Sequence, residues 1–360
     1  MIFTVLCCLE NNSFCHSFNL ESCLSTELMS ILVTSFGWLG QFVLEQLIRD
    51  LPDANIYVGY HSDVPILADA GPRIHPVYLD LTDDNNISEV IQRSRPAVVV
   101  HLAAVTSPLQ CQKNPELCQR INQPYNLIES LKKHGSYDDV RFIFASTDHV
   151  YDGLCPMYNI GDNTEPVNNY GKSKLAYEKY LLDNNNNNQI VIFRLANIIG
   201  PMYKYKMKSG KFLQFLVEKC RNLEYILVKS EVRSFVYIHD CVQVMVAIAK
   251  GRTVSQPIYN LGGPESLSRL DLCRLVARSL GKTLAVVDEI EYINTIKGAT
   301  DTDTWYVGMQ QIDSAATLDS PIDVSMNSEM IFSSLNLKCH KIGEIIDDTT
   351  QLILSQLHDS

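Results

Sequence analysis

Between Ile31 and Pro201, short apolar runs alternate with amphipathic stretches of helical period, and this alternation constrains the fold more than any other feature of the sequence. The runs are Ile31–Val33, Asn55–Tyr60, Val77–Leu79, Ala97–Leu102, Val140–Ala145 and Ile190–Leu195. The stretches between them include Phe42–Ile48, Ile87–Arg93, Leu127–Lys133 and Leu175–Leu182. A strand that is apolar along its whole length is buried on both faces, which requires parallel strands with helices on each side. The expected fold is therefore α/β, a Rossmann-like doubly wound parallel sheet, with a smaller C-terminal substrate-binding part.

In such a sheet ligands sit outside the carboxyl ends of the strands, so the residues that follow each run are the ones to read for chemistry. After the first run comes Thr34-Ser35-Phe36-Gly37-Trp38-Leu39-Gly40. Gly37 and Gly40 have the spacing of the second and third glycines of G-x-x-G-x-x-G, a turn that brings backbone amides against a cofactor pyrophosphate. Thr34 falls where the first glycine belongs, and a two-glycine turn of this kind also occurs as a plain tight turn. The second run ends in Tyr60-His61-Ser62, without the carboxylate that would bind a ribose 2′-hydroxyl. Removing that carboxylate removes a repulsion against a 2′-phosphate, so NADP(H) is preferred over NAD(H), with His61 and Ser62 nearest the phosphate.

The third run closes on Asp80-Leu81, and the fourth runs into Leu102-Ala103-Ala104-Val105-Thr106, whose small residues allow a ligand to approach closely. The fifth delivers Ser146-Thr147-Asp148 to the same edge, where Thr147 is placed to hydrogen-bond a carbonyl, although hydroxyls at strand ends more often cap the backbone. Downstream, Tyr170 and Lys174 stand four apart on a helix and therefore share a face. An ammonium beside a phenol lowers the phenol's pKa and makes it usable as an acid or base near neutrality. A Tyr-x-x-x-Lys spacing is common by chance, and it is the converging Thr147 that gives it meaning.

The net charge of -11 excludes a nucleic-acid-binding surface and a polybasic membrane anchor. Four of the eleven cysteines lie in the first 28 residues and none of the rest pairs at metal-ligand spacing, so no metal site is expected. Cys111 and Cys118 lack partner histidines, and the cysteines as a whole read as reduced thiols of a cytoplasmic protein. Met1–Leu9 is too short to span a bilayer and lacks a basic leader, so residues 1–28 read as an N-terminal extension without fixed structure, with the functional chain starting at Met29. Residues 29–201 form the expected nucleotide-binding part, to which C-terminal segments return, and 202–360 mainly the substrate part. Asparagines 184–188 read as a polar loop and 204–211 as a basic one. In the C-terminal part Arg233, in Val232-Arg233-Ser234-Phe235-Val236-Tyr237, offers a planar fork suited to a diphosphate, although a surface arginine more often pairs with a carboxylate. Residues 291–319 read as a long loop, either an insertion or a cover over the site, before order resumes at Ser320-Pro321-Ile322-Asp323 and a last helix from Ile342 to Leu357.

The glycine turn, Asp80-Leu81, Ser146-Thr147-Asp148 and Tyr170 with Lys174 fall in the order and spacing of the extended short-chain dehydrogenase/reductase superfamily. Within it the chain resembles the dTDP-4-dehydrorhamnose reductase family and its eukaryotic relatives, which include the regulatory β subunit of methionine adenosyltransferase. The resemblance implies an NADPH-preferring reductase of a keto group on a nucleotide-activated sugar. It implies that Tyr170 gives the proton, that Lys174 holds the nicotinamide ribose and that Thr147 binds the carbonyl oxygen. Asp80 and Leu81 would meet the adenine side, Leu102, Ala103 and Ala104 the phosphate and ribose channel, and Trp38 and Leu39 would join the glycine turn. Thr106, Asp148, Asn197 and Arg233 are the expected substrate contacts. A homodimer is compatible with this reading. The rival reading is a non-catalytic subunit whose partner is a methionine adenosyltransferase.

Overall fold

The computed structural model describes residues 28–62, 65, 71–134, 137–185, 189–203, 211–288, 303–310 and 320–358. The N-terminal extension, asparagines 186–188 and most of the basic 204–211 segment lie outside the described residues. The first half runs β1 (Ser30–Val33), α1 (Trp38–Asp50), β2 (Asn55–Tyr60), β3 (Ile74–Tyr78), α2 (Asp84–Ser94), β4 (Val98–His101), α3 (Pro108–Lys113), α4 (Pro115–Asn122), α5 (Tyr125–Lys133), β5 (Arg141–Thr147), α6 (Asn169–Asp183) and β6 (Ile190–Leu195). The second half runs β7 (Asn197–Ile199), α7 (Phe212–Arg221), β8 (Ile226–Lys229), β9 (Val232–Tyr237), α8 (Ile238–Ala249), β10 (Ile258–Leu261), β11 (Ser266–Ser268), α9 (Arg269–Ser279), β12 (Thr283–Val286), β13 (Thr304–Gln310), α10 (Glu329–Leu335) and α11 (Ile342–His358).

Seven strands form one sheet in the order β10-β6-β5-β4-β1-β2-β3, and every neighbouring pair is parallel. The order reverses direction at β1, so the crevice between the ends of β1 and β4 is the topological switch point. The central strands are apolar because each alternates its side chains between two helical layers. Ile31 and Val33 face α1 and α8, with Phe42, Leu47, Val242 and Met245. Leu32 faces the other way, to the layer that holds Ile87, Leu127 and Leu131. The doubly wound expectation is met in strand order, direction and burial.

Two small sheets make up the other part: β11-β9-β7, in which β7 and β9 are parallel and β11 antiparallel, and the parallel β12-β13-β8. The long loop expected over 291–319 is corrected here, since Thr304–Gln310 is a strand set between β12 and β8. Trp305 on it is fully buried and its indole donates to the Glu224 carbonyl at 2.8 Å. The polar Thr300-to-Thr304 run had hidden a short apolar segment behind it; residues 291–302 and 311–319 are outside the described residues.

Candidate functional site

The first turn of α6 is held against the end of β5 by two devices. The Asn168 side chain caps the helix by accepting from Gly171 N at 2.8 Å, and Asn168 Nδ2 lies 2.9 Å from His149 Nδ1. Gly171 then lets the backbones touch, because a Cβ there would stand 2.1 Å from the His149 carbonyl oxygen. The approach sets the Tyr170 phenol beside the Thr147 hydroxyl. Lys174, one turn on, lies with Nζ 4.2 Å from the centre of the Phe144 ring. All three side chains are buried.

Burial governs their protonation. It pushes the Lys174 ammonium down to about 7, against the opposing pull of Glu178. It pushes the Tyr170 phenol up to about 12, the Thr147 hydrogen bond partly offsetting this and the Asp148 charge adding to it. The expectation that Lys174 would lower the tyrosine's pKa is therefore corrected: taking both groups out of water penalises both charged forms, and the charge that acts on the phenol is that of Asp148, which raises it further.

Thr34 is also reassigned. Its hydroxyl does not occupy the glycine turn but faces the β1–β4 seam, where it accepts from Leu102 N at 3.0 Å and Ala103 N at 3.1 Å. With both lone pairs engaged, its proton goes to His101 Nδ1, 3.0 Å away. His101 is thus neutral with its proton on Nε2, and burial, with the Lys174 charge adding to it, holds its pKa at about 3. The signal for this residue in the sequence is that it is the one polar side chain closing Val98-Val99-Val100.

The turn itself is open. Among the described residues α1 has no side-chain cap and no acidic residue in its first turn, and a Cβ on exposed Gly37 would meet only Ser35 Oγ, at 3.3 Å. Gly40 is different, since a Cβ there would stand 1.9 Å from the Ser35 carbonyl oxygen. Leu39 is half-buried beside the turn. Trp38 is turned inward, its indole donating to Pro201 O at 3.0 Å. Leu102, Ala103 and Ala104 line the crevice as half-buried residues. The uncapped start of α1 and these small side chains fit a dinucleotide pyrophosphate.

At the far end of the crevice Asp80 accepts from Thr82 N at 2.8 Å and Thr82 Oγ1 at 2.7 Å, which holds its carboxyl below the usual range. It also lies 3.8 Å from His61 Nε2, and His61 stacks on Tyr78. A carboxylate thus stands beside the end of β2 although the sequence of that strand end lacks one. Ser62 is exposed and Leu81 buried.

Of the expected substrate contacts, Thr106 is exposed and Asn197 half-buried at the start of β7. Asp148 is buried, accepts from Thr147 Oγ1 at 3.1 Å, and leaves Oδ2 without a hydrogen-bond partner. Arg233 is not the free fork expected. It is 1% exposed, with Nη1 donating to Val232 O at 2.8 Å and Ile322 O at 3.2 Å, and Nη2 to Ser320 Oγ at 2.9 Å and Pro321 O at 2.7 Å. Its counter-ion is buried Glu231 at 3.2 Å, which Arg269 also binds at 2.8 Å.

The thiol expectation is corrected as well, for Cys111 and Cys118 form a disulfide with Cα atoms 5.0 Å apart. The sequence could not show it, because the two short helices α3 and α4 that bring the sulfurs together are too brief to leave a periodic signal. Among the described residues no group of three His, Cys, Asp or Glu could hold a metal ion, and no helix is long and apolar enough to cross a membrane.

A family model described as the NAD dependent epimerase/dehydratase family matches residues 31–262. Methionine adenosyltransferase 2 subunit beta of Xenopus tropicalis is 27% identical over 210 residues, which are 56% of this chain and 60% of that protein. The dTDP-4-dehydrorhamnose reductase of Salmonella typhimurium is 26% identical over 217 residues, 58% of this chain and 69% of that one. The chain thus spans about 60% of the length of the first of these relatives. Among solved structures, UDP-glucose 4-epimerase of Thermotoga maritima, with UDP-glucose, superposes at a TM-score of 0.71 over 91% of this chain and 100% of that one, at 19% identity. That last likeness is one of fold.

Proposed function

Since the chain belongs to the NAD dependent epimerase/dehydratase family, we propose that it is an NAD(P)H-dependent reductase of a keto group on a nucleotide-activated sugar. The observation that carries the proposal is the adjacent Thr147–Tyr170 pair, buried together with Lys174 at the edge of the sheet that also presents the open turn before α1. When bound, the nicotinamide supplies the hydride. A phenol raised to about 12 stays protonated at neutral pH, so Tyr170 is poised as an acid for an oxygen that gains charge as its carbonyl is reduced. Thr147 hydrogen-bonds the same oxygen and keeps it in line with Tyr170. The unpartnered Oδ2 of Asp148 accepts a substrate hydroxyl next to the reacting carbon. Amides at the N-terminus of α1 hold the pyrophosphate.

The choice between cofactors turns on Asp80 and His61. Asp80, whose carboxyl the Thr82 hydrogen bonds hold below the usual range, opposes a 2′-phosphate, and the His61 ring lies 3.8 Å from it.

The test is titration with NADPH and NADH followed by nicotinamide fluorescence, then addition of dTDP-4-keto-6-deoxy sugars while nicotinamide oxidation is followed. Tyr170→Phe is expected to bind nucleotide as the parent does and to lose turnover by at least 10²-fold. A variant as active as the parent would refute the mechanism.

A second reading is a regulatory subunit for a methionine adenosyltransferase. It draws on the relatives of that name and on Arg233, whose donors are engaged within the chain where a diphosphate was expected. A stoichiometric methionine adenosyltransferase recovered with the protein, together with nucleotide binding but no turnover, would select it.

A further inference from the structure

The Cys111–Cys118 disulfide is not an isolated surface link. Both cysteines are buried, at 0% and 1% exposure, and they form one apolar cluster with Tyr170, Val105 packing against it. Residues 112–117 between them are exposed throughout, so the bond closes a short surface excursion whose sulfurs face the proton donor. A polar bridge runs alongside. Asn122 Nδ2 donates to Cys118 Sγ at 3.4 Å and to Ser173 Oγ at 2.9 Å, and Ser173 Oγ donates to the Tyr170 carbonyl at 2.7 Å. Asn122 also binds both backbone groups of Val105, at 2.8 Å and 3.1 Å.

We propose that Cys111 and Cys118 form a thiol–disulfide redox site that sets the position of Tyr170, the oxidised form holding the phenol against Thr147 and the reduced form releasing it. The proposal rests on the reading of Tyr170 as the proton donor. Reduction is a two-electron exchange with a dithiol. The dithiol's thiolate attacks one sulfur as the segment 112–117 swings out, the other leaves as a thiolate and takes a proton, and the second reductant sulfur resolves the mixed disulfide. The products are two cysteine thiols and an oxidised dithiol. Reduction removes the covalent tie between α3 and α4, so the two cysteines no longer fix one another in place. In a cluster packed at interior density that loosening reaches what the cysteines touch, and Tyr170 is one of the few groups in their cluster. A shift of about 1 Å at such a group lowers a rate on the order of 10²-fold.

The experiment uses the full chain, oxidised and after treatment with dithiothreitol, with alkylation and intact mass to count released thiols. Hydrogen exchange of the peptide covering residues 165–175 reports the first turn of α6 without any need for substrate. Expected is release of two buried thiols, faster exchange in that peptide and a fall in turnover of tenfold or more, all reversed by reoxidation and all absent from Cys111→Ala/Cys118→Ala. Should that double variant not fold, oxidised and reduced parent protein still give the comparison. Reduction that leaves both exchange and turnover unchanged would overturn the proposal, as would protein that contains no such disulfide after mild oxidation. If exchange responds and no substrate is turned over in either state, the redox coupling stands and the reductase reading fails.

Discussion

At the scale of single residues, the site is a set of polar groups whose burial decides their chemistry. Thr34 shows how far position in a motif can mislead. Read along the sequence it interrupts a glycine turn, yet its hydroxyl joins β1 to the loop after β4 through Leu102, Ala103 and His101. Thr34→Gly, which restores the commoner residue, is expected to lower stability by about 1–3 kcal/mol, because it leaves two amides and an imidazole without their partner. It is also expected to leave nucleotide affinity no tighter; urea unfolding and a fluorescence titration check both, and tighter binding would return Thr34 to the turn. Lys174 carries the opposite trade. Its folded pKa of about 7 lies below the ordinary 10.5, so between these values the unfolded chain binds a proton that the folded chain does not. Stability from this group therefore rises with pH across that window, and below it the buried charge opposes folding. Lys174→Met is expected to abolish turnover while raising Tm at pH 6, with the gain closing as pH approaches 10; a Tm that falls at pH 6 would contradict the assignment. That Thr147, Tyr170 and Lys174 come to one edge of the sheet was legible, because a strand end and a helix face fix where each stands. Their protonation was not, since desolvation depends on neighbours such as Phe144 that sequence does not place.

At the scale of elements, one close contact aligns the chemistry: α6 meets the turn after β5 through Gly171. A Cβ at that position runs into the His149 carbonyl, which is backbone and cannot rotate away. Gly171→Ala should push the start of α6 off β5 and part Tyr170 from Thr147. Turnover is expected to fall at least tenfold with nucleotide binding retained, because the turn before α1 is untouched. Equal turnover would mean that the contact is slack. The same logic explains what the sequence could show about elements. β1, β4, β5 and β6 are continuous apolar runs and were recognisable as central strands. The third strand was not seen in full, since it starts at Ile74 and carries Pro76, which an edge strand tolerates. α3 and α4, of six and eight residues, offered too few turns for a period to emerge.

At the scale of the whole molecule, a large parallel sheet carries the turn before α1 and the Tyr170 helix, and the smaller part carries the Glu231, Arg233 and Arg269 cluster. The smaller part depends on β13, the strand that composition concealed. Trp305 is the largest fully buried side chain there, and Trp305→Ala is expected to remove about 3–5 kcal/mol of stability. Calorimetry would show whether the loss is confined to one part, as two separated transitions, or shared, as one lowered transition. An unchanged profile would refute the burial. The large sheet was legible because its periodicity is local. In the smaller part the helices were legible too, whereas its sheets were not, because β7, β8 and β11 are short and gain their partners from distant segments. The last strand of the large sheet, β10, pairs with β6 only after the chain has traversed α7 through α8. A ribosome making this protein therefore holds β6 with a bare edge until Leu261 has left the exit tunnel, and through that interval the nascent chain must be kept from pairing with its neighbours on the same message.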